Sequence, residues 1–133
     1  MRSTRASVRH FVRIAAPAER IWPYIGDPAR LTEWFPGIVA CRVEGSERTI
    51  TTHAGLSMTE TLLTNNPLEH RFQYRITTGL VREHLSTIDV LDLGDGTSVV
   101  QYSCDADPAP LALMIAGGAF DGLRLLQRLV EEG

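Results

Sequence analysis

Residues 14–39 read IAAPAERIWPYIGDPARLTEWFPGIV, and they constrain the fold more than any other stretch because they set two short helix signals between two strand signals. Few small-domain architectures use that arrangement. Pro17 suits the first turn of a helix, where a missing N–H costs nothing, and Glu19 favours the positive helix end. Ile21, Trp22 and Ile25 supply an apolar face. Pro23 would break a longer helix by removing the bond to the Glu19 carbonyl, and Gly26-Asp27-Pro28 ends this helix and starts a second. The second covers roughly 28–34, Phe35-Pro36-Gly37 closes it, and Ile38-Val39 returns to extended structure. Helices this short cannot enclose a core, so they must lie against something larger.

The 133 residues make one domain, 1–133, with enough interior for a real core. A formal net charge of −3 gives no basic footprint for nucleic acid or an anionic membrane. Arg2, Arg5, Arg9 and Arg13 cluster near the start and read as the solvated edge of a first strand. No apolar run of signal-peptide type opens the sequence, so the expected location is the cytoplasm. Cys41 and Cys104 have no CxxC pairing and no histidine at metal-ligand spacing, and are read as small buried hydrophobes. No G-x-S-x-G nucleophile or H-E-x-x-H motif occurs, and Ala116-Gly117-Gly118-Ala119 falls within a helix rather than between strand and helix. Neither a metal nor a cofactor is expected.

Beyond the helix pair the period changes to strand alternation, cut at Glu44-Gly45-Ser46, Ala54-Gly55, Asn65-Asn66-Pro67, Thr78-Gly79 and Gly94-Asp95-Gly96. The cuts leave strands at about 38–44, 48–53, 56–64, 69–77, 81–92 and 97–106, and a first strand at 6–15 makes seven. Connections this short force an antiparallel meander. Asp107-Pro108 reads as an N-cap and a helix-starting proline for one long helix ending near Glu131. Its second half is amphipathic, with Leu123, Leu126, Leu129 and Val130 against Asp121, Arg124, Gln127, Arg128 and Glu131. Residues 108–120 carry no charged or hydrogen-bonding side chain, so that half must be covered on most sides, by sheet, ligand or another protein. Gly117-Gly118 each cost about 1 kcal/mol relative to alanine in a helix, which points either to a bend or close approach or to tolerated drift.

The order strand, helix, helix, six strands, long helix is that of the α+β helix-grip fold. The chain resembles the polyketide cyclase/dehydrase-like branch of the SRPBCC superfamily, which includes START lipid-transfer domains and the major birch-pollen allergen. The resemblance is carried by Ala16-Pro17-Ala18-Glu19 with Ile21-Trp22, by 27–31, by Trp34-Phe35-Pro36-Gly37, and by Glu60 and 72–76. Asp95-Gly96-Thr97, Asp107-Pro108 and Gly122-Leu123 extend it over nearly the whole chain. It implies a curved sheet wrapped around the last helix, and between them a cavity for lipids, polyketides or other apolar molecules.

Strand alternation then selects the inward side chains. Phe72, Tyr74 and Ile76 share a face in the fifth strand, Met58, Glu60 and Leu62 in the fourth, His84, Ser86, Ile88 and Val90 in the sixth, and Val100, Tyr102, Cys104 and Ala106 in the seventh. The long helix offers Leu111, Met114, Ile115, Gly118 and Phe120 as cavity wall, and Trp34 is either a lid contact or a core seal. Glu60 is the sharpest residue: a carboxylate in an apolar pocket has a raised pKa and can serve as acid, base or anchor, unless an arginine or tyrosine holds it structurally. His84, ahead of His53, is its candidate proton-transfer partner, and Tyr74 and Tyr102 can turn hydroxyls to a ligand.

The first functional reading is therefore binding of an apolar or aromatic small molecule by Trp34, Met58, Glu60, Phe72, Tyr74, His84, Tyr102, Ile115 and Phe120. The alternative is a cyclase or dehydratase using Glu60, His84 and tyrosines for proton transfer. A third is a regulatory or toxin-like interaction module, favoured only by the apolar 108–120 stretch, which also allows a homodimer.

Overall fold

The computed structural model describes residues 5–79 and 81–133, so Arg2 lies outside the described residues. The chain runs through β1 (Ala6–Ile14), α1 (Ala18–Gly26), a 3-10 turn (Pro28–Arg30) and α2 (Leu31–Trp34). Then come β2 (Ile38–Glu44), β3 (Glu47–Thr52), β4 (Ser57–Asn66), β5 (Arg71–Ile76), β6 (Glu83–Asp92), β7 (Ser98–Asp107) and α3 (Ala109–Glu132). The strands form one seven-stranded sheet in the order β1-β7-β6-β5-β4-β3-β2. All neighbours are antiparallel. This is the helix-grip arrangement, with the expected element order intact.

Local chemistry explains the helix pair. α1 starts after Pro17 without a side-chain cap of its own. Its Ala18 N–H is instead taken by Asp92 Oδ2 at 2.9 Å, from the end of β6, so a distant strand satisfies a helix-end donor. Pro23 sits inside α1, and the helix ends three residues later at Gly26. Asp27 Oδ1 then accepts the Ala29 N–H at 3.1 Å and caps the following turn.

The long helix begins differently from expectation. Asp107 is the last residue of β7, where it pairs with Glu83, and its Oδ1 is held by Arg82 Nε and Nη2 at 2.9 and 2.6 Å. With its carboxylate taken, Asp107 does not cap the helix; Pro108 occupies the cap position, and its carbonyl accepts the Leu111 N–H at 3.1 Å.

α3 packs against β1 and β7. Its buried face is small at the start, with Ala112, Ala116 and Ala119, and large at the end, with Leu123, Leu126 and Val130. Small side chains let the first half lie close to the β1–β7 edge, whereas the large ones join the main hydrophobic core with Ile14, Ile21, Ile88 and Val90. The expected cover of 108–120 is only partial. Leu113, Met114 and Phe120 are 61%, 63% and 41% exposed, because the sheet reaches one side of this half and the helix pair reaches only its end. The two glycines also differ: a Cβ at Gly117 would meet open space, while one at Gly118 would stand 2.8 Å from Phe35 Cε1. Gly118 therefore marks a close approach, and nothing in the structure explains Gly117.

Cys104 is buried, as expected, but Cys41 is only half-buried, with its thiol donating to the Pro28 carbonyl at 3.5 Å. Of the N-terminal arginines, Arg5 meets Glu83 at 3.2 Å and Arg13 meets Asp95 at 3.2 Å, both at exposed positions.

Leu126→Ala is expected to lower stability by about 2–5 kcal/mol, since it empties a fully buried position, whereas Leu113→Ala is expected to change it by less than about 0.5 kcal/mol. Urea unfolding of both variants checks the contrast.

Candidate functional site

α3 lies along the β1–β7 side, so the far side of the curved sheet stands away from it and leaves a cavity of about 360 Å³. The inner wall is Ile50, Met58, Glu60, Tyr74 and Ile76 from β3, β4 and β5. Ile115 and Gly118 of α3 and Phe35 after α2 form the opposite wall. The mouth lies among Pro36, Gly37, His53, Ala54 and Met114, all exposed. Gly37 turns the chain there at φ +87°, a conformation costly for other residues, and its carbonyl accepts the His53 N–H at 2.7 Å.

Glu60 sits at the inner end, 2% exposed. Arg48 faces it across the β3–β4 ladder, also 2% exposed, and its Nε donates to Glu60 Oε1 at 2.6 Å. The second arm of the guanidinium, Nη1, donates to the Pro28 carbonyl at 3.2 Å. Its plane lies 5.4 Å from the Phe72 ring centre and 5.1 Å from that of Tyr74. Burial pushes the Glu60 carboxyl up, with the Arg48 charge and hydrogen bond pulling against it. Burial is the largest influence on Arg48 and disfavours its cation, but the Glu60 charge and hydrogen bond together with Tyr74 and Tyr102 outweigh it and hold the guanidinium charged. Among the described residues no hydrogen bond reaches Glu60 Oε2.

A second polar cluster lies beside it, on β5, β6 and β7. The Tyr74 and Tyr102 hydroxyls bond each other. His84 Nδ1 accepts the Ile76 N–H at 2.8 Å, so the proton of the neutral ring is assigned to Nε2, which reaches Ser86 Oγ at 2.8 Å. Burial above all, aided by Arg75, lowers the His84 pKa to about 4. Burial raises both tyrosines, and lifts the Cys104 thiol to about 11. These groups are neutral at physiological pH, and both His84 nitrogens are occupied.

Of the residues singled out from sequence, Met58, Glu60, Tyr74 and Ile115 line the cavity. Trp34, Phe72, His84 and Tyr102 face the same interior but pack in the core around it. Trp34 is 1% exposed, and its Nε1 donates to the Tyr24 carbonyl at 3.1 Å, which makes it a core seal rather than a lid. Phe120 lies elsewhere: its ring meets that of His10 of β1 at a tilt, centroids 5.0 Å apart, and it is 41% exposed. Leu111 packs with Cys104, Ala106 and Ala112, away from the cavity. His53, ranked behind His84, is the histidine on the cavity wall.

Arg48 is not among the residues singled out from sequence, and Phe35 is named there only within the Trp34-Phe35-Pro36-Gly37 stretch. Arg48 shares the inward phase of β3 with Ile50, and that alternation was the available signal. Phe35 lines the cavity and touches the Trp34 and Tyr102 rings at 5.9 and 6.1 Å. Its place depends on Gly118 far along the chain, which no local pattern reports.

Arg48→Met strands the buried Glu60 carboxylate and is expected to cost about 3–5 kcal/mol, most of it recovered in the Arg48→Met/Glu60→Leu double variant. Chemical denaturation of the two variants measures the difference. His84 adds a pH dependence: its folded pKa of about 4 lies below the ordinary 6.5, so the unfolded chain binds more protons between these values. Stability is then highest above pH 6.5 and falls as the pH drops toward 4. His84→Asn, whose Oδ1 can still accept the Ile76 N–H, is expected to flatten this fall in urea midpoints measured across the window.

Comparison with known proteins extends the geometry. A family model described as polyketide cyclase / dehydrase and lipid transport matches residues 5–132. None of the curated proteins matches the chain. Among solved structures, the protein XoxI from Bacillus cereus is 27% identical with a TM-score of 0.87, covering 94% of this chain and 95% of its own. A START superfamily protein from Mycobacterium smegmatis, 21% identical with a TM-score of 0.75, covers 95% and 97%. A norcoclaurine synthase point mutant from Thalictrum flavum, solved with a transition state analogue, is 18% identical with a TM-score of 0.78 over 99% and 98%. The last two share the fold. With almost its entire length matched by the family model, the chain belongs to the polyketide cyclase / dehydrase and lipid transport family.

Proposed function

We propose that this protein binds an apolar or aromatic small molecule in the cavity between the sheet and α3. The observation that carries the reading is the cavity itself: about 360 Å³, walled mainly by Phe35, Ile50, Met58, Ile76 and Ile115, and open at Pro36–Gly37 and His53–Ala54. Ligand pockets of this size and polarity are the usual home of drug-sized apolar molecules. The inner and outer ends differ. Glu60 and Tyr74 supply polar atoms at depth, and the rest of the wall supplies shape. Both cysteines are free thiols, in keeping with a cytoplasmic protein.

A cyclase or dehydratase is the second reading, and one observation favours it: Glu60, with its carboxyl raised by burial, stands on the cavity wall. His84 adds nothing to it, since the Ile76 N–H and Ser86 occupy its two nitrogens. Binding without chemistry needs fewer parts.

Binding of aromatic probes, followed by calorimetry and by the rise in melting temperature, tests the first reading. Gly118→Ala puts a Cβ 2.8 Å from the Phe35 ring and forces that ring to move. The variant is expected to weaken probe binding by about tenfold, equivalent to roughly 1.4 kcal/mol, while the fold persists. Unchanged affinity would move the binding site elsewhere.

A further inference from the structure

We propose that the ligand of this cavity carries a hydrogen-bond donor at its inner end, a hydroxyl, phenol or amine, and that Glu60 rejects ligands ending in a carboxylate. The inference rests on the reading of the cavity as a binding site and adds the chemistry of the head group.

Four side chains on the wall carry polar atoms: Thr52, His53, Glu60 and Tyr74. Thr52 Oγ1 already accepts the Leu56 N–H at 3.1 Å, and His53 is exposed at the mouth. The Tyr74 hydroxyl is shared with Tyr102. Glu60 is left as the group at the inner end with an oxygen to offer, since Arg48 binds Oε1 and, among the described residues, nothing binds Oε2.

The charge beside Glu60 does not cancel this preference. Arg48 is absent from the cavity wall: it stands behind the carboxylate, its Nε turned to Oε1, its Nη1 to the Pro28 carbonyl and its plane against Phe72 and Tyr74. An incoming ligand therefore meets the negative member of the pair and not the positive one. A neutral or cationic donor gains a charge-assisted bond at a site shielded from water. A carboxylate head would have to lose its own hydration beside a like charge, and the hydroxyl nearest that end, Tyr74, is shared with Tyr102. The wall thus discriminates by head group, while the apolar residues discriminate by shape.

The test is a set of probes of nearly one shape, titrated into the full chain near neutral pH: 2-methylnaphthalene, 2-naphthol, 2-naphthylmethylamine and 2-naphthoate. The expected order places 2-naphthol and the amine at least about tenfold tighter than 2-methylnaphthalene, and 2-naphthoate at least about 100-fold weaker than 2-naphthol. Glu60→Gln keeps an acceptor and removes the charge, so it is expected to raise 2-naphthoate affinity while leaving 2-naphthol within about threefold. Should that variant fail to fold beside the now unpaired Arg48, the ranking on the unaltered chain still decides. Equal affinity for all four probes, or naphthoate binding as tightly as naphthol, overturns the head-group assignment while leaving the cavity as a binding site. Binding of none of the four overturns the cavity reading, and the assignment with it.

Discussion

The buried contact between Arg48 and Glu60 is the constraint on which the site depends. It joins β3 to β4 at directly opposed positions, and the same guanidinium reaches out of the sheet to the Pro28 carbonyl. One side chain thus fixes two strands and the turn between α1 and α2. Such a pair contributes little to net stability, because taking both charges from water offsets most of their attraction. Its effect is on geometry: a hairpin and a helix-pair turn some twenty residues before it in sequence are held together around the inner end of the cavity. The aromatic rings of Phe72 and Tyr74 close over the cation, and Glu60 is the member of the pair on the cavity wall.

The grading of side chains along α3 complements this. Alanines at 112, 116 and 119 let the helix settle against the β1–β7 edge, and leucines at 123 and 126 with Val130 fill the interior farther along. A helix with large residues throughout would stand off evenly and fill the gap. The smaller first half instead leaves Met114, Ile115 and Gly118 along the cavity, and the absence of a Cβ at Gly118 gives the Phe35 ring its place. Cavity volume in this protein therefore follows from what the helix lacks as much as from what it carries.

Much of the architecture was legible because its signals are local. Period-2 alternation fixed the inward phase of β5, β6 and β7, and the glycine and proline turns located the strand ends to within two or three residues. The helix pair was equally plain, since Pro17, Asp27 and Gly37 act on their own neighbours. What the sequence withheld depends on long-range placement. Asp107 looked like a helix cap, yet its carboxylate is claimed by Arg82. Phe120 looked like cavity wall, but helical phase alone cannot say which side of α3 the sheet will cover, and the ring ends against His10. Inward phase was also not enough to separate lining from core: His84 and Tyr102 face inward but lie behind Tyr74, while His53 reaches the wall from a turn.

The linker between β1 and α1 is tied to elements far from it. Ala15 N–H is bound by Glu131, the Ala16 carbonyl by Ser98, the Ala18 N–H by Asp92, and Arg20 reaches the Val130 carbonyl. The last turn of α3 is therefore clasped to the start of the helix pair. The opposite end of that helix continues from β7 through Pro108 and seats Leu111 and Ala112 against Cys104 and Ala106. The helix is therefore anchored at both ends on one side of the sheet, like a beam resting on two supports, and the cavity opens on the side it leaves uncovered.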